Sequence, residues 1–340
     1  MNFAIGIVAA LGAGTLNGLF PLPMKAIKRW EWESVWLPFS ILALVVFPLF
    51  IAWSFAPHLG TALLHIHGSD MVQALLCGAV VFTGSLMFGL AIPRIGAGLS
   101  FALLVGTMNA VGVLVPRILL HRAGAATTGD WLVVCGVAVS LASVAFGFWA
   151  GKGKTDAARD GSGATGTVGA VLAIAGGALS GVLPVGMSMP FASHLAHPAI
   201  RYGGADPSHA ATVVITLVLF GGAIPNCLYC AYLLRSRGTY RNYQDSRSLM
   251  NWILVLCMGI FFSASNALWG IAISPYYLSA LGPSIGWALF VGMIVASSTC
   301  MSLISGEWKE TPRLFLIILV VSVVLLASSM ILICAGTYRS

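Results

Sequence analysis

Residues 14–24 of the chain read GTLNGLFPLPM, and residues 177–187 read GALSGVLPVGM. At a constant offset of 163 residues, glycine, leucine, glycine, proline and methionine recur in the same order. The first copy lies in an apolar run at 3–22, and the second lies in an apolar run at 166–188. This recurrence predicts that the chain consists of two related halves.

The composition indicates a membrane protein. Of the 340 residues, 59% are hydrophobic and 8% are charged, whereas soluble domains carry about 25% charged residues. A helix needs about 20 apolar residues to cross the hydrocarbon. We therefore predict an all-α integral membrane protein with ten transmembrane helices, at 3–22, 35–56, 71–93, 95–116, 130–150, 166–188, 211–234, 248–272, 280–305 and 314–335.

Five helices in each half imply that the halves insert in opposite orientations, as in inverted-repeat transporters. The charged, glycine-rich stretch GKGKTDAARDGSGA at 151–164 is typical of a flexible linker. The predicted organisation is a first five-helix repeat at 1–150, a cytoplasmic linker at 151–164 and a second five-helix repeat at 165–340.

Lysine and arginine lie mostly on one side of the predicted bundle. Thirteen follow odd-numbered helices, and four lie on the opposite side. Since cytoplasmic loops carry the excess of positive charge, the odd-numbered connections are expected in the cytoplasm. Both termini are then periplasmic in a bacterial inner membrane. The net charge of +7 is explained by this orientation, so nucleic acid is excluded as a first interpretation and membrane lipid is the expected surrounding.

All ten acidic residues lie in loops or at helix ends. An intramembrane aspartyl protease or a cation exporter would need acids inside the membrane, so both classes are disfavoured. No nucleophile or metal constellation is visible, and the chain is interpreted as not an enzyme, without a cofactor. The spacings His65-x-His67 and His194-x-x-His197 fit a metal, but neither has a carboxylate or cysteine companion. We favour solvated loop histidines and predict no metal site.

Neutral polar and aromatic side chains occupy the apolar runs instead. Because a buried amide without a partner costs about 2–7 kcal/mol, each interior asparagine needs a second helix or a ligand. A cavity lined by such groups and by aromatic walls suits an uncharged, polyhydroxylated solute. The predicted substrate-binding residues are Asn17, Asn109, Ser180, Asn226, Ser263, Asn266, Trp269, Tyr276, Tyr277 and Trp287.

Three stretches carry a resemblance to a known family. Residues 23–36 read PMKAIKRWEWESVW, residues 84–96 read GSLMFGLAIPRIG, and residues 306–308 read GEW. They resemble the L-rhamnose–proton symporters, a branch of the drug/metabolite transporter superfamily. The resemblance spans the whole length. It implies a ten-helix inner-membrane carrier for a deoxysugar that works by alternating access, with a proton as the coupling ion.

Proton coupling needs a group that titrates near the working pH and whose exposure alternates between the two sides. Asp70, Asp130 and Glu307 are expected to stay ionised in water. His194 and His197, at the outer end of helix six, are therefore the predicted coupling residues. Two alternatives stay open, namely a carrier without proton coupling and a transporter or exporter of another small metabolite on the same fold.

Overall fold

The computed structural model describes residues 3–95, 97–120, 127–155, 163–244, 248–278, 282–304 and 312–338. Within these ranges the chain forms helices and no strands. The α-helices are α1 (Phe3–Leu19), α2 (Trp32–Ile41), α3 (Phe47–Phe55), α4 (Leu59–Leu64), α5 (Gly68–Ile95), α6 (Ala97–Leu120), α7 (Thr128–Thr155), α8 (Gly163–Ser180), α9 (Val182–Met187), α10 (Pro190–Arg201), α11 (Ala210–Arg237), α12 (Leu249–Ala272), α13 (Pro275–Leu278), α14 (Gly282–Ile304) and α15 (Arg313–Tyr338). Two 3₁₀ turns lie at Pro23–Ala26 and Thr239–Gln244, and a π-helical turn at Leu42–Val46 joins α2 to α3.

Nine helical segments in the described part of the chain are long and apolar enough to cross a membrane. The further long helix, α6, has 24 residues, and its described apolar stretch is the shorter segment Leu103–Leu119. Large apolar side chains such as Trp53, Leu76 and Ile331 remain exposed on the helices, where lipid tails are as apolar as leucine. The chain is a multi-pass membrane protein.

Glycine and proline set where the helices between residues 163 and 201 end and begin. The sixth predicted helix is divided at Gly181 into α8 and α9, and Pro190 begins the separate helix α10. A proline has no N–H to donate and is tolerated in the first turn of a helix. Pro225 lies inside α11, which continues past it. Helix α7 runs to Thr155, into the stretch 151–164 predicted as the linker, and residues 156–162 of that stretch lie outside the described ranges.

The bundle has two ends. We name the end at which α1 begins and α15 finishes the upper end, and the opposite end the lower end. The polar stretches 57–69 and 189–210, predicted not to span the membrane, contain the short helices α4 and α10 at the upper end.

Each copy of the sequence repeat packs on the other half of the chain. Helix α1 contacts α12 and α14, whereas α8 contacts α5 and α6. Gly14 and Gly18 of α1 lie against the backbone of α14, and Gly177 and Gly181 lie against the backbone of α6. Because glycine has no side chain, the backbones approach closely at all four positions.

The two glycine contacts share one register. Gly14 and Gly18 have neighbours on α14, and Gly177 and Gly181 have neighbours on α6. Each of the α14 neighbours lies 186 positions after the corresponding α6 neighbour. The corresponding pairs are Leu104 with Phe290, Thr107 with Met293, Met108 with Ile294 and Val111 with Ser297. Both copies of the motif therefore make the same helix contact with the other half of the chain. The first copy packs on α14, and the second copy packs on α6.

Candidate functional site

Asn17 lies at the contact between α1 and α12. Its Nδ2 donates to Ser265 Oγ at 3.2 Å, and Ser265 Oγ donates to the carbonyl oxygen of Ala13 at 2.8 Å. Ser180 occupies the matching position in the second copy of the sequence motif, and its Oγ donates to the carbonyl oxygen of Val81 at 3.4 Å. Asn17 and Ser180 are both half-buried. Each of these two predicted site residues thus hydrogen-bonds across to a helix of the other half of the chain.

An aromatic cluster lies on the lower side of Asn17. We name Phe20, Trp36, Phe39, Phe82 and Phe262 the lower aromatic cluster. The ring of Phe39 stacks on Phe20 at 5.4 Å and lies 4.9 Å from Trp36 and 5.6 Å from Phe262 between ring centroids. Phe82 meets Phe262 at 6.1 Å. The cluster therefore joins helices of both halves.

Asn226 supports the lower aromatic cluster. Its Oδ1 accepts from Trp36 Nε1 at 3.1 Å, and its Nδ2 donates to the carbonyl oxygens of Phe82 at 3.3 Å and Gly222 at 3.1 Å. The side chain is 1% exposed. Because its amide already has protein partners, Asn226 positions Trp36, a role that the sequence did not indicate.

A second cluster, named the upper aromatic cluster, consists of Trp269, Trp287 and Phe290. Its ring centroids are 5.4 to 6.1 Å apart. Trp287 Nε1 donates to the carbonyl oxygen of Met108 at 3.2 Å. By contrast, Trp269 Nε1 and Ser284 Oγ are buried and have no hydrogen-bond partner among the described residues. In a hydrocarbon environment a buried polar group without a partner is costly.

The order of residues along α12 relates the two clusters. Phe262 belongs to the lower cluster, Ser265 and Asn266 follow within about one turn, and Trp269 belongs to the upper cluster. Asn266 Nδ2 donates to the carbonyl oxygen of Phe262 in its own helix at 2.9 Å. A polar layer thus lies between two aromatic layers, and Ser265, which was not among the predicted site residues, is part of it.

Two predicted site residues form bridges between helices elsewhere. Asn109 Nδ2 donates to Ser140 Oγ at 2.7 Å, towards α7. Ser263 Oγ donates to the carbonyl oxygen of Ala43 at 3.1 Å. Neither contact is with α1 or α8, because polar residues on different faces of a helix meet different neighbours. The structure does not bring Asn109 or Ser263 together with Asn17.

Tyr276 and Tyr277 lie at the upper end. The Tyr276 side chain is 61% exposed. Tyr276 and Tyr277 belong to the short helix α13, which follows the end of α12 at Ala272. Tyr276 lines a cleft of about 670 Å³. The cleft is mostly apolar, and its other lining residues include Met187, Pro190, His197, Pro207 and Pro283.

His194 pairs with Asp70 across the two halves. His194 Nδ1 lies 3.3 Å from the Asp70 carboxylate, and the side chains are 57% and 10% exposed. The expectation that Asp70 lies in water is wrong, because α10 covers it. Asp130 accepts from Arg117 Nε at 2.8 Å, and Glu307 lies outside the described residues.

Other histidines of the upper end also contact the opposite half. The ring of His65 stacks on Tyr202 at 3.8 Å, and the ring of His209 stacks on Phe55 at 4.4 Å. Hydrogen bonds from the Ser208 hydroxyl and backbone N–H lower the pKa of the neighbouring carboxyl of Asp206. Among the described residues, no three histidine, cysteine, aspartate or glutamate side chains come together as metal ligands.

One carboxylate at the lower end is fully buried. Glu33, in the first turn of α2, is 0% exposed and accepts hydrogen bonds from Arg237 and Thr239. Glu33 lies at a helix end, as the sequence predicted. That position gave no sign of burial, since the residues that cover it lie more than 200 positions away in sequence.

Comparisons with known proteins agree with this architecture. The family model of the L-rhamnose-proton symport protein matches residues 1–337. An L-rhamnose-proton symporter of Mannheimia succiniciproducens is 25% identical over 331 residues, covering 92% of each chain. One of Yersinia pestis bv. Antiqua is 25% identical over 327 residues, covering 91% of each. A solved crystal structure shares the fold, with a TM-score of 0.59 and 16% identity over 98% of this chain and 97% of the other. The chain belongs to the L-rhamnose-proton symport protein family.

Proposed function

We propose that this protein is a secondary transporter that moves a neutral sugar, L-rhamnose or a related deoxysugar, across the bacterial inner membrane together with a proton. The observation that carries the proposal is the family match over residues 1–337. The relatives from Mannheimia and Yersinia are named L-rhamnose-proton symporters, and their similarity covers nearly the whole chain. Transport in this proposal proceeds by alternating access.

The proposed architecture has ten crossings in two inverted five-helix repeats. Counting α6 as a crossing gives five in each half. The shared register of the glycine contacts supports the inverted arrangement, because α1 on α12 and α14 corresponds to α8 on α5 and α6. In such transporters, one repeat rocks against the other around a site near the midplane. The glycine contacts are then the surfaces on which the repeats move.

The proposed orientation places the lower end in the cytoplasm. In the sequence, thirteen of the 17 lysine and arginine residues follow the odd-numbered predicted helices, which run towards the lower end, and cytoplasmic loops carry the excess of positive charge. Both termini and the cleft beside Tyr276 then face the periplasm.

The polar layer between the two aromatic clusters is the proposed sugar site. Asn17 and Ser180 line it from equivalent positions, and the buried N–H of Trp269 supplies a donor without a protein acceptor. Sugar hydroxyls match these groups, and the less polar ring faces match the aromatic side chains. The cleft that contains Tyr276 and His197 is the proposed entrance from the periplasm.

His194 is the proposed proton-sensitive group of the upper end. When the imidazole is protonated, it is attracted to the Asp70 carboxylate at 3.3 Å, whereas the neutral form lacks this attraction. A proton from the periplasm therefore favours closure of the upper end by joining α10 to α5. This closure is the step that an alternating-access carrier makes after loading from outside.

A thermal-shift measurement of the purified protein against a panel of sugars tests the substrate. Stabilisation by L-rhamnose or a related deoxysugar is expected, because a ligand that binds the folded state raises its stability. Stabilisation by a nucleobase or an amino-acid derivative alone would replace the sugar assignment with the alternative transporter.

Uptake into proteoliposomes under an imposed pH gradient tests the coupling. Wild type is expected to accumulate the sugar, and His194→Ala is expected to lose most of this accumulation. His67→Ala, which changes an exposed histidine of the same end, is the matched control, and His197→Ala tests the cleft. Full accumulation by a His194→Ala/His197→Ala double variant would remove both histidines from the coupling mechanism.

A further inference from the structure

A groove lies between α2 and α12 on the outer surface of the bundle. It has a volume of about 450 Å³, and its lining residues are Pro38, Ile41, Leu42, Trp252, Ile253 and Leu256. We name it the lateral groove. Both walls belong to segments that are long and apolar enough to cross a membrane, Trp32–Phe55 and Leu249–Ala272. Because α2 belongs to the first half of the chain and α12 to the second, an occupant of the groove touches both halves.

The lateral groove is closed at its upper limit. Leu42 begins the π-helical turn, and this turn packs on Gly259 of α12, where a Cβ would lie 3.2 Å from Leu42 Cβ and 2.9 Å from the ring of Phe47. Leu256, which lines the groove, precedes Gly259 by three residues, or about 5 Å along the helix. The two helices therefore meet at Gly259 and leave the groove below it.

Three aromatic rings border the lower limit of the groove. We name Trp30, Tyr243 and Trp252 the aromatic rim, and their ring centroids are 5.2 to 5.5 Å apart. Because Pro38 has no N–H, the carbonyl oxygen of Ser34 one turn earlier lacks its usual helical donor, and Tyr243 Oη donates to it at 3.0 Å. Tryptophan and tyrosine concentrate at the headgroup depth of a bilayer, so the rim marks that depth at the lower end.

Lys28 is held beside the aromatic rim. The Nδ2 of the buried Asn251 donates to the Lys28 carbonyl oxygen at 2.9 Å, and its Oδ1 accepts from the Lys28 N–H at 3.5 Å. Asn251 directly precedes Trp252, which lines the groove. Arg29 follows Lys28 with φ 64, in the left-handed region that residues other than glycine adopt uncommonly. The backbone thus keeps the exposed Lys28 at the lower mouth of the groove.

The charges at this mouth are mostly positive. The segment 25–31 carries Lys25, Lys28 and Arg29, which are exposed, and one exposed carboxylate, that of Glu31. The six residues that line the groove are uncharged. An amphiphile with an apolar tail and an anionic headgroup is complementary to an apolar groove that ends at a cationic surface.

We propose that the lateral groove binds an anionic phospholipid. The first part of one acyl chain lies between α2 and α12, and the phosphate lies beside the ammonium of Lys28. The chain covers large apolar side chains that are exposed on the groove walls, namely Ile41, Ile253 and Leu256. The site requires a chain that spans the membrane, and it does not depend on which solute is transported.

Native mass spectrometry measures lipid binding to the purified protein. Delipidated protein in detergent is titrated with phosphatidylglycerol, which is anionic, and with phosphatidylcholine, which has no net charge. Wild type is expected to bind phosphatidylglycerol more tightly. Lys28→Gln is expected to weaken phosphatidylglycerol binding about fivefold, the effect of one cation at a membrane surface, and to leave phosphatidylcholine binding unchanged. The control is Arg235→Gln, an exposed cation in the last turn of α11, which should behave as wild type.

Ile253→Trp tests the position of the acyl chain. The larger side chain fills the groove, so the binding of both lipids is expected to fall several-fold. The matched control is Ile260→Trp, because Ile253 and Ile260 are both 45% exposed on α12. Ile260 lies about two turns further along the helix, above the contact at Gly259, and its substitution should leave lipid binding unchanged.

Several results would overturn the proposal. Equal affinity of wild type for the two lipids would do so, as would equal losses in Lys28→Gln and Arg235→Gln, which would indicate attraction by surface charge in general. Unchanged lipid binding by Ile253→Trp would place the acyl chain outside the groove. A dimer that binds no lipid would assign the groove to a second copy of the chain.

A photoreactive lipid locates the site in the unsubstituted protein. Phosphatidylglycerol with a diazirine near the headgroup end of one acyl chain is expected to label residues in 38–42 or 252–256 after irradiation. Peptide mapping by mass spectrometry identifies the labelled positions. Labelling confined to other segments would overturn the proposal, whether or not each variant folds.

Discussion

Ser143 and Ser322 exchange hydrogen bonds. The hydroxyl of Ser143 donates to the carbonyl oxygen of Ser322 at 2.7 Å, and the hydroxyl of Ser322 donates to the carbonyl oxygen of Ser143 at 2.8 Å. The pair is buried between α7 and α15. A reciprocal contact of this kind is what a local two-fold axis between the two residues produces. Like the glycine contacts, it supports the proposed inverted repeat.

The reciprocity of this pair predicts matched effects. Ser143→Ala and Ser322→Ala should each destabilise the protein by about 1 kcal/mol, since each removes one buried hydrogen bond. Thermal unfolding in detergent measures the effect. Ser328→Ala is the control, because its hydroxyl bonds to its own helix at an exposed position. A large loss from one substitution and none from the other would contradict the symmetry.

Glycine at the contact between α1 and α14 should be irreplaceable. A Cβ at Gly18 would lie 2.7 Å from the carbonyl oxygen of Ile294, whereas one at Gly12 would lie 3.5 Å from the end of the Leu268 side chain. We expect Gly18→Ala to cost about 1–3 kcal/mol through overpacking and to impair transport. Gly12→Ala should be tolerated. Uptake and melting temperature, measured on both variants, check this, and equal tolerance would contradict it.

The amide of Asn17 should be needed for the sugar rather than for folding. Asn17→Leu is expected to reduce L-rhamnose uptake by about 5- to 150-fold, since a lost hydrogen-bond partner costs about 1–3 kcal/mol of recognition. Expression should change little, and the free energy of unfolding should fall by no more than about 1 kcal/mol, the contribution of the one hydrogen bond to Ser265 that is lost. Thr15→Val is the control on the same helix, because Thr15 bonds to the carbonyl oxygen of Leu11. Wild-type uptake by Asn17→Leu would place the sugar site elsewhere.

The two tryptophans of the upper aromatic cluster should respond differently to loss of their N–H. Trp269→Phe removes a donor without an acceptor and should weaken sugar binding without destabilising the protein. Trp287→Phe removes the bond to the Met108 carbonyl oxygen and should lower stability by about 1 kcal/mol. Sugar-dependent and sugar-free melting temperatures distinguish the two effects. Identical behaviour of both variants would contradict a ligand role for Trp269.

The orientation can be tested by labelling intact cells. In a background without cysteine, an impermeant thiol reagent should label Ser340→Cys and leave Gly161→Cys unlabelled, since the positive charges hold the central connection inside. Permeabilised cells, in which both positions should react, provide the control. The reverse pattern in intact cells would invert the proposed topology.

Much of the framework follows from local sequence. Apolar runs predicted the long helices to within a few residues, because backbone hydrogen bonds must be satisfied inside each crossing segment. The GTLNGLFPLPM and GALSGVLPVGM stretches predicted a repeat with Asn17 and Ser180 at matching positions, and in the structure both copies of the motif make the same glycine contact. The segment around Trp30 and Glu33 indicated the family.

Tertiary structure alone decided what each polar side chain meets. In a membrane helix, faces that contact lipid and faces that contact protein are both apolar, so the sequence pattern does not distinguish them. Asn109 therefore had the same signature as Asn17, yet it bonds to Ser140 on α7. Glu33 resembled a solvated glutamate at a helix end, and it is buried because the end of α11, far away in sequence, folds over it and supplies Arg237.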